Sequence, residues 1–167
     1  MLDAGREILW KLINSHESQG LISIRVIREI RVQNEIRMKT ILMAGGRGTR
    51  IAELFPNIPK PLIPVAGMPI LEREIRSLCA QGFKDIILTV GYLADKIIAY
   101  FGDGSQFGVK IDYFVEESPL GNAGALFRLR EKIGDEPFLL LNADAAFDVD
   151  FNRMVAFHQN HGGLVTL

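Results

Sequence analysis

Cysteine is nearly absent. Cys79 stands alone in 167 residues, so no internal disulfide and no thiolate metal cluster can form, and a small helix residue packed in the core is its expected role. Long apolar runs are missing too, and nothing approaches the ~18–20 residues of a membrane span. A secretory leader pattern is equally lacking, because Arg6, Glu7, Lys11 and Glu17 break every early apolar stretch. Excess charge of either sign is absent, with 19 basic and 20 acidic residues giving a formal net charge of −1. That balance removes the electrostatic case for nucleic acid or an anionic membrane as partner, while leaving room for a local basic pocket. His16, His158 and His161 are scattered, with no Cys/His/Asp grouping at zinc-ligand spacing. From these absences a reduced, cytoplasmic, soluble domain is expected. What is present, 48% apolar and 23% charged residues, is ordinary globular composition and excludes wholesale disorder.

The chain changes character near Met38. Residues 1–37 hold no proline and only Gly5 and Gly20. Ile8, Leu9, Leu12 and Ile13 have helical spacing; in Leu21–Ile36 Ile22, Ile24 and Val26 alternate like a strand while Val26, Ile27 and Ile30 fit a helix, and helix is expected through most of it. This stretch, Trp10 included, has no readable chemistry and is expected to be an extension, with the functional domain spanning 38–167. From Thr40 the pattern is regular. Thr40–Ala44 reads as a buried strand running into Gly45-Gly46. Pro69 opens a helix with Leu71, Ile75, Leu78 and Cys79 on one face, closed by Gly82. Strands follow at Ile86–Val90, Val109–Val115 and Phe138–Leu141. Helices are marked by Leu93, Ile97, Ile98 and Phe101, by Leu126, Leu129 and Ile133, and by Phe151, Met154 and Val155. The last residues, Leu164–Leu167, read as a further strand near a sheet edge. Strands alternating with helices predict an α/β fold, a mostly parallel sheet with helices on both faces. Ligands then belong beyond the carboxyl ends of the strands.

Gly45-Gly46-Arg47-Gly48-Thr49-Arg50 leaves the first strand there. Glycines let backbone N–H groups approach a phosphate and permit positive φ, and Arg50 can fork onto two phosphate oxygens. The loop has no Gly-Lys-Ser/Thr ending, so it is not a P-loop. Ile51 stands where a dinucleotide fingerprint starting at Gly46 needs its third glycine. It is a different nucleotide loop or an ordinary glycine-rich turn. Pro59-Lys60-Pro61 follows, its prolines restricting where the lysine ammonium points. On its own this suits a phosphate and a solvated linker lysine equally.

Five pieces in order, Met43–Arg50, Pro59-Lys60-Pro61, Gly102-Asp103-Gly104-Ser105, Pro119–Ala125 and Leu141-Asn142-Ala143-Asp144, resemble the sugar-nucleotidyltransferase family. The likeness is greatest to heptose 1-phosphate and mannose 1-phosphate guanylyltransferases. The resemblance implies a Rossmann-like nucleotidyltransferase domain that moves a nucleoside monophosphate, GMP from GTP, onto a sugar 1-phosphate with release of pyrophosphate. Ala44, Gly45, Gly46, Arg47, Gly48 and Thr49 would cradle the nucleotide, and Arg50 would bind the β- and γ-phosphates. Lys60 would neutralise the α-phosphate and the incoming sugar phosphate, and Asp144 would ligate Mg²⁺. A single strand-end carboxylate suits Mg²⁺, which prefers oxygen ligands and keeps several waters; a turn or helix-cap role is the alternative, for which Asp148 and Asp150 are better placed.

The base is read in this family near the segment that here is Glu116–Gly121. A carboxylate at Glu116 can accept from both N1–H and N2–H₂ of guanine, whereas an amide there suits uracil or thymine. Gly121 would let the chain pass close to the base. Against this, Glu116 and Glu117 could be solvent-facing charges. Asn122 stands where threonine is common, and Ala143 where glycine often precedes the aspartate. Family members continue well past this length, into a region with a second metal-binding aspartate and most of the sugar pocket. The chain is therefore expected to be the nucleotide-binding half, apparently truncated, with Met38-Lys39-Thr40 resembling a family start; a homo-oligomer is compatible with it. Uridylyl-, thymidylyl- or cytidylyltransferase and a non-catalytic nucleotide-binding module stay open.

Overall fold

The computed structural model describes residues 38–46, 48, 51, 53–118 and 120–167. The expected N-terminal helices and Trp10 lie outside the described residues. Four parallel strands form the central sheet: β1 (Thr40–Ala44), β4 (Asp85–Val90), β5 (Lys110–Val115) and β6 (Leu139–Asn142), in the order β5-β4-β1-β6. Strands β2 (Pro64–Val65) and β3 (Met68–Pro69) make a separate antiparallel ribbon. The helices are α1 (Ile70–Ala80), α2 (Ala94–Phe101), α3 (Gly121–Ile133) and α4 (Phe151–His161), with 3₁₀ turns at Lys60–Leu62 and Ser105–Phe107.

Alternation along β1 builds two cores. Leu42 and Ala44 face the larger one, with Ile86, Leu88 and Val90 of β4, Leu71, Ile75 and Leu78 of α1, Ile97 and Phe101 of α2, and Phe151 of α4. Ile41 faces the other side, where Ile87 meets Leu129 and Ile133 of α3. Successive residues of a strand point to opposite faces, so both faces are covered only if helices lie on each. Each fully buried side chain, such as Phe83 or Phe101, contributes roughly 1.5–3 kcal/mol. The expected α/β sheet is therefore present, and every expected strand between Thr40 and Leu141 pairs.

Polar stitches set the helix ends. Asp150 Oδ1 accepts from Arg153 N at 3.1 Å, capping α4, so the cap falls to Asp150 of the two candidate aspartates. Gln81, just past α1, accepts from Phe151 N at 2.8 Å and donates to Val149 O at 3.1 Å, tying the two helices together. Lys39 Nζ donates to Lys132 O and Ile133 O, satisfying carbonyls at the end of α3.

Three expectations need correction. Leu164–Leu167 forms no strand, and Leu164 is fully exposed; no described strand offers it a ladder, and it is held instead by a side-chain contact, Thr166 Oγ1 lying 2.9 Å from His158 Nδ1 of α4. The β2–β3 ribbon was not foreseen. Its two-residue turn, Ala66-Gly67, takes φ of +51° and +80°, the left-handed pair that closes a tight hairpin. Cys79 is half-buried rather than fully buried, its Sγ 3.5 Å from Gly108 O.

The sheet order defines the site. From β1 the chain builds outward through β4 to β5, then crosses back to place β6 on the other side of β1. This reversal leaves a crevice beyond the carboxyl ends of β1 and β6, where open α/β sheets bind ligands.

Candidate active site

The glycine loop starts at that crevice. Ala44 is buried at the end of β1, and its N–H reaches Thr89 Oγ1 at 3.3 Å. A Cβ on Gly45 would lie 2.5 Å from Glu116 Oε1, whereas one on Gly46 would meet nothing within 4 Å. Gly45 is thus bare because Glu116 lies against it, and Gly46 offers an open backbone surface. Gly91, at the end of β4, presses on the same loop, and a Cβ there would sit 2.8 Å from Gly45 O. Glu116 follows β5; its N–H donates to Val90 O at 2.7 Å and its Oε2 accepts from Leu120 N at 3.1 Å. Its carboxylate is fixed against the glycine loop, while Glu117 points to solvent.

Lys60 comes from the 3₁₀ turn between Pro59 and Pro61, both buried, which hold the backbone while the side chain reaches into the crevice. Gly48, at φ +56°, packs against its stem: a Cβ there would lie 3.2 Å from Lys60 Cβ. The ammonium donates to Asp144 Oδ2 at 2.6 Å, joining residues 84 positions apart, with side chains 33% and 38% exposed. Ala143 before Asp144 is fully buried, and its N–H donates to Met43 O at 3.1 Å, extending the β1–β6 ladder up to the aspartate.

Glu74 of α1 was missed by the sequence reading. It is 5% exposed, and neither carboxyl oxygen has a hydrogen-bond partner among the described residues. Burial pushes its pKa up to about 8, and the Asp144 charge acts in the same direction. Gly91 and Thr89 were also missed. A glycine directly after an apolar strand was a readable sign of close backbone approach, but nothing in the sequence marked Glu74 beyond a charge on a helix.

Of the predicted residues, Ala44, Gly45, Gly46, Gly48, Lys60, Glu116 and Asp144 converge on the carboxyl ends of the strands. Arg47, Thr49 and Arg50 lie outside the described residues. Gly121 opens α3 at φ +65°, and a Cβ there would meet nothing within 4 Å, so its backbone angle rather than crowding by the chain calls for glycine.

No group of three or more Asp, Glu, His or Cys side chains able to hold a metal occurs among the described residues. A fully protein-caged ion does not fit this crevice. A Mg²⁺ ion held mainly by phosphate oxygens and water, with Asp144 as its protein ligand, does fit, because that ion seldom requires more than one or two carboxylates. No described helix is long and apolar enough to cross a membrane.

A parallel sheet with a reversal crevice, an open glycine backbone and a lysine–carboxylate pair defines a nucleotide-handling α/β domain. Residues 39–167 match the model of the nucleotidyl transferase family, and the chain belongs to that family. It is 40% identical over 129 residues to a mannose-1-phosphate guanyltransferase of Aspergillus oryzae, covering 75% of this chain and 35% of that protein. It is 36% identical over 141 residues to a UTP–glucose-1-phosphate uridylyltransferase of Synechocystis, covering 78% and 36%. The solved structure of HddC from Yersinia pseudotuberculosis complexed with GMP-PN superposes with a TM-score of 0.65 at 31% identity, over 72% of this chain and 54% of that one. The chain thus spans little more than a third of the curated relatives it matches.

Proposed function

We propose that residues 38–167 are the nucleotide-binding part of a sugar-phosphate nucleotidyltransferase that transfers GMP from GTP to a sugar 1-phosphate, with residues 1–37 an extension not needed for nucleotide binding. The observation that carries this reading is the convergence of Lys60, Asp144, Glu116 and the glycine backbone on one crevice. In the reaction a sugar-phosphate oxygen attacks the α-phosphorus and pyrophosphate leaves in line. Two anions must meet, so the site supplies positive charge and alignment rather than a covalent nucleophile. Lys60 leaves Asp144 to neutralise the α-phosphate and the incoming sugar phosphate. Gly45 and Gly46 let backbone N–H groups approach the triphosphate, with Arg50 on its outer phosphates. Asp144 would hold Mg²⁺, which when bound offsets charge on the phosphate oxygens.

Guanine is the base favoured by Glu116. Its carboxylate is held at the loop and is acceptor-only, matching the two donors on the guanine edge. Both guanylyl- and uridylyltransferases occur among the relatives, so likeness alone does not choose the base. Calorimetric titration of the chain with GTP, UTP, dTTP and ATP, with and without Mg²⁺, tests the reading. GTP is expected to bind best, and only with Mg²⁺. Glu116→Gln keeps an acceptor for Leu120 N–H but turns an amide N–H₂ toward guanine, and is expected to reduce GTP affinity by about tenfold or more. An unchanged preference for GTP in that variant would sink the base assignment, and loss of nucleotide binding on removal of residues 1–37 from a still-folded chain would refute the domain division.

A further inference from the structure

Two acidic residues of α1 are buried, and they differ in one respect. Glu72 accepts from Tyr100 Oη at 2.6 Å and from Arg76 Nε at 2.7 Å, and the tyrosine bond holds its carboxyl below the usual range. Its burial is matched by partners. Glu74 is buried to the same degree with none among the described residues. An unsatisfied buried carboxyl costs more than a surface or paired one, and a leucine or methionine would serve a helix face better.

The surroundings of Glu74 indicate what it is for. It lines a small cavity of about 30 Å³, open to solvent on one side, with Arg73, Ser77, Leu141, Ala146 and Phe147 among its walls. Leu141 is the penultimate residue of β6, three positions before Asp144, and Ala146 and Phe147 lie just after Asp144. The buried carboxyl therefore shares this cavity with residues on both sides of Asp144 in the chain, and it is close enough to feel the Asp144 charge.

We propose that Glu74 is a positioning residue for Asp144, fixing the 144–147 segment through hydrogen bonds to ordered water in that cavity. Arg73, Glu74 and Ser77 supply its polar atoms among otherwise apolar walls, and its volume admits about one or two water molecules. Glu74 thus stands to Asp144 as an outer-shell group stands to a metal ligand: it touches neither ion nor substrate, and it sets where the ligand points. This rests on the reading of Asp144 as the Mg²⁺ ligand.

Mn²⁺ titration followed by electron paramagnetic resonance, alongside thermal unfolding, tests the proposal on three variants of the whole chain. Glu74→Met removes the buried polar atoms at similar volume. It is expected to unfold at or above the wild-type temperature yet to bind Mn²⁺ about 10–100-fold more weakly. Glu74→Gln, which keeps the hydrogen-bonding shape without the charge, is expected to stay within about threefold of wild type. A purely structural Glu74 would move stability and leave Mn²⁺ affinity alone. Wild-type Mn²⁺ affinity in Glu74→Met overturns the proposal, as does an equal loss in Glu74→Gln, which would mean that charge rather than hydrogen bonding matters. Asp144→Asn separates the two readings. If it binds Mn²⁺ normally, the metal assignment itself is wrong and Glu74 falls with it; if it loses Mn²⁺ while Glu74→Met does not, only the positioning role fails.

Discussion

Gly91→Ala and Gly45→Ala add the same methyl group at two places around the glycine loop, and the structure predicts unequal results. Neither glycine has a left-handed φ, so backbone strain is not involved and only space decides. At Gly91 the new Cβ lies 2.8 Å from Gly45 O, 3.4 Å from its Cα and 3.5 Å from its C. All three are backbone atoms at the end of β1, whose register with β4 is fixed by Ala44↔Val90. The strand ends must part, which costs about 1–3 kcal/mol. The stiffer unfolded chain returns roughly 0.4–1 kcal/mol, leaving a net loss of about 1–2 kcal/mol. At Gly45 the obstacle is Glu116 Oε1 at 2.5 Å, the far end of a flexible side chain. It can swing outward, giving up the bond from Leu120 N, and the unfolded-state gain nearly offsets that loss. Gly45→Ala should be within about 0.5 kcal/mol of wild type and, on the proposed function, should bind GTP more weakly because Glu116 has moved. Urea unfolding followed by circular dichroism measures both. If Gly91→Ala is as stable as wild type, or Gly45→Ala is the more damaging of the two, the packing argument for the loop is wrong.

Glu74 makes stability depend on pH. A carboxyl raised from its ordinary value of 4.5 to about 8 in the folded chain binds a proton there that the unfolded chain has already released, so its contribution is whole below about pH 4.5 and is lost as pH rises toward 8. The fall is at most on the order of 4–5 kcal/mol; Glu74→Gln should flatten it, and parallel pH–stability curves for the two proteins would contradict the burial argument. Asp150→Ala removes the bond to Arg153 N and should cost about 1 kcal/mol, lowering Tm by roughly 3–5 °C by scanning calorimetry; an unchanged Tm would show that the Gln81 contacts alone hold the start of α4.

The elements that sequence made legible are those whose signal is local. Thr40–Ala44 and Ile86–Val90 are continuous apolar runs because both faces of the sheet are covered, and Asp150 precedes a helical pattern as a cap should. The β2–β3 ribbon was hidden because its strands are two residues long and begin or end in proline; its turn rests on Ala66 adopting a φ that alanine rarely takes. The terminal Leu164-Val165-Thr166-Leu167 misled for the opposite reason: alternation and β-propensity are necessary for a strand, but a ladder partner decides. In the site, Lys60 and Asp144 were each ambiguous alone, and only the sheet order brings them together. Glu74 was invisible because its position on α1 looks like any surface charge until the loop after β6 is laid over it.

That Lys60 and Asp144 bind each other, rather than standing apart, bears on how a nucleotide would enter. On the proposed function, each is the other's competitor: the ammonium occupies a carboxylate oxygen that the metal would use, and the carboxylate occupies the cation meant for phosphate. Breaking the pair for one ligand alone strands the other partner, a half-exposed charge in a confined crevice. Bringing metal and triphosphate together exchanges both partners at once, Asp144 to the ion and Lys60 to a phosphate oxygen. Binding should therefore be strongly coupled, and the coupling must be reciprocal. Mn²⁺ alone is expected to bind weakly and to tighten on the order of tenfold when GTP is added, with GTP gaining the same factor from Mn²⁺. Lys60→Met frees the carboxylate, so Mn²⁺ alone should bind more tightly than to wild type while most of the coupling disappears. If Lys60→Met instead leaves Mn²⁺ binding and its coupling to GTP unchanged, the pair is an incidental surface contact and the lysine does not guard the metal site.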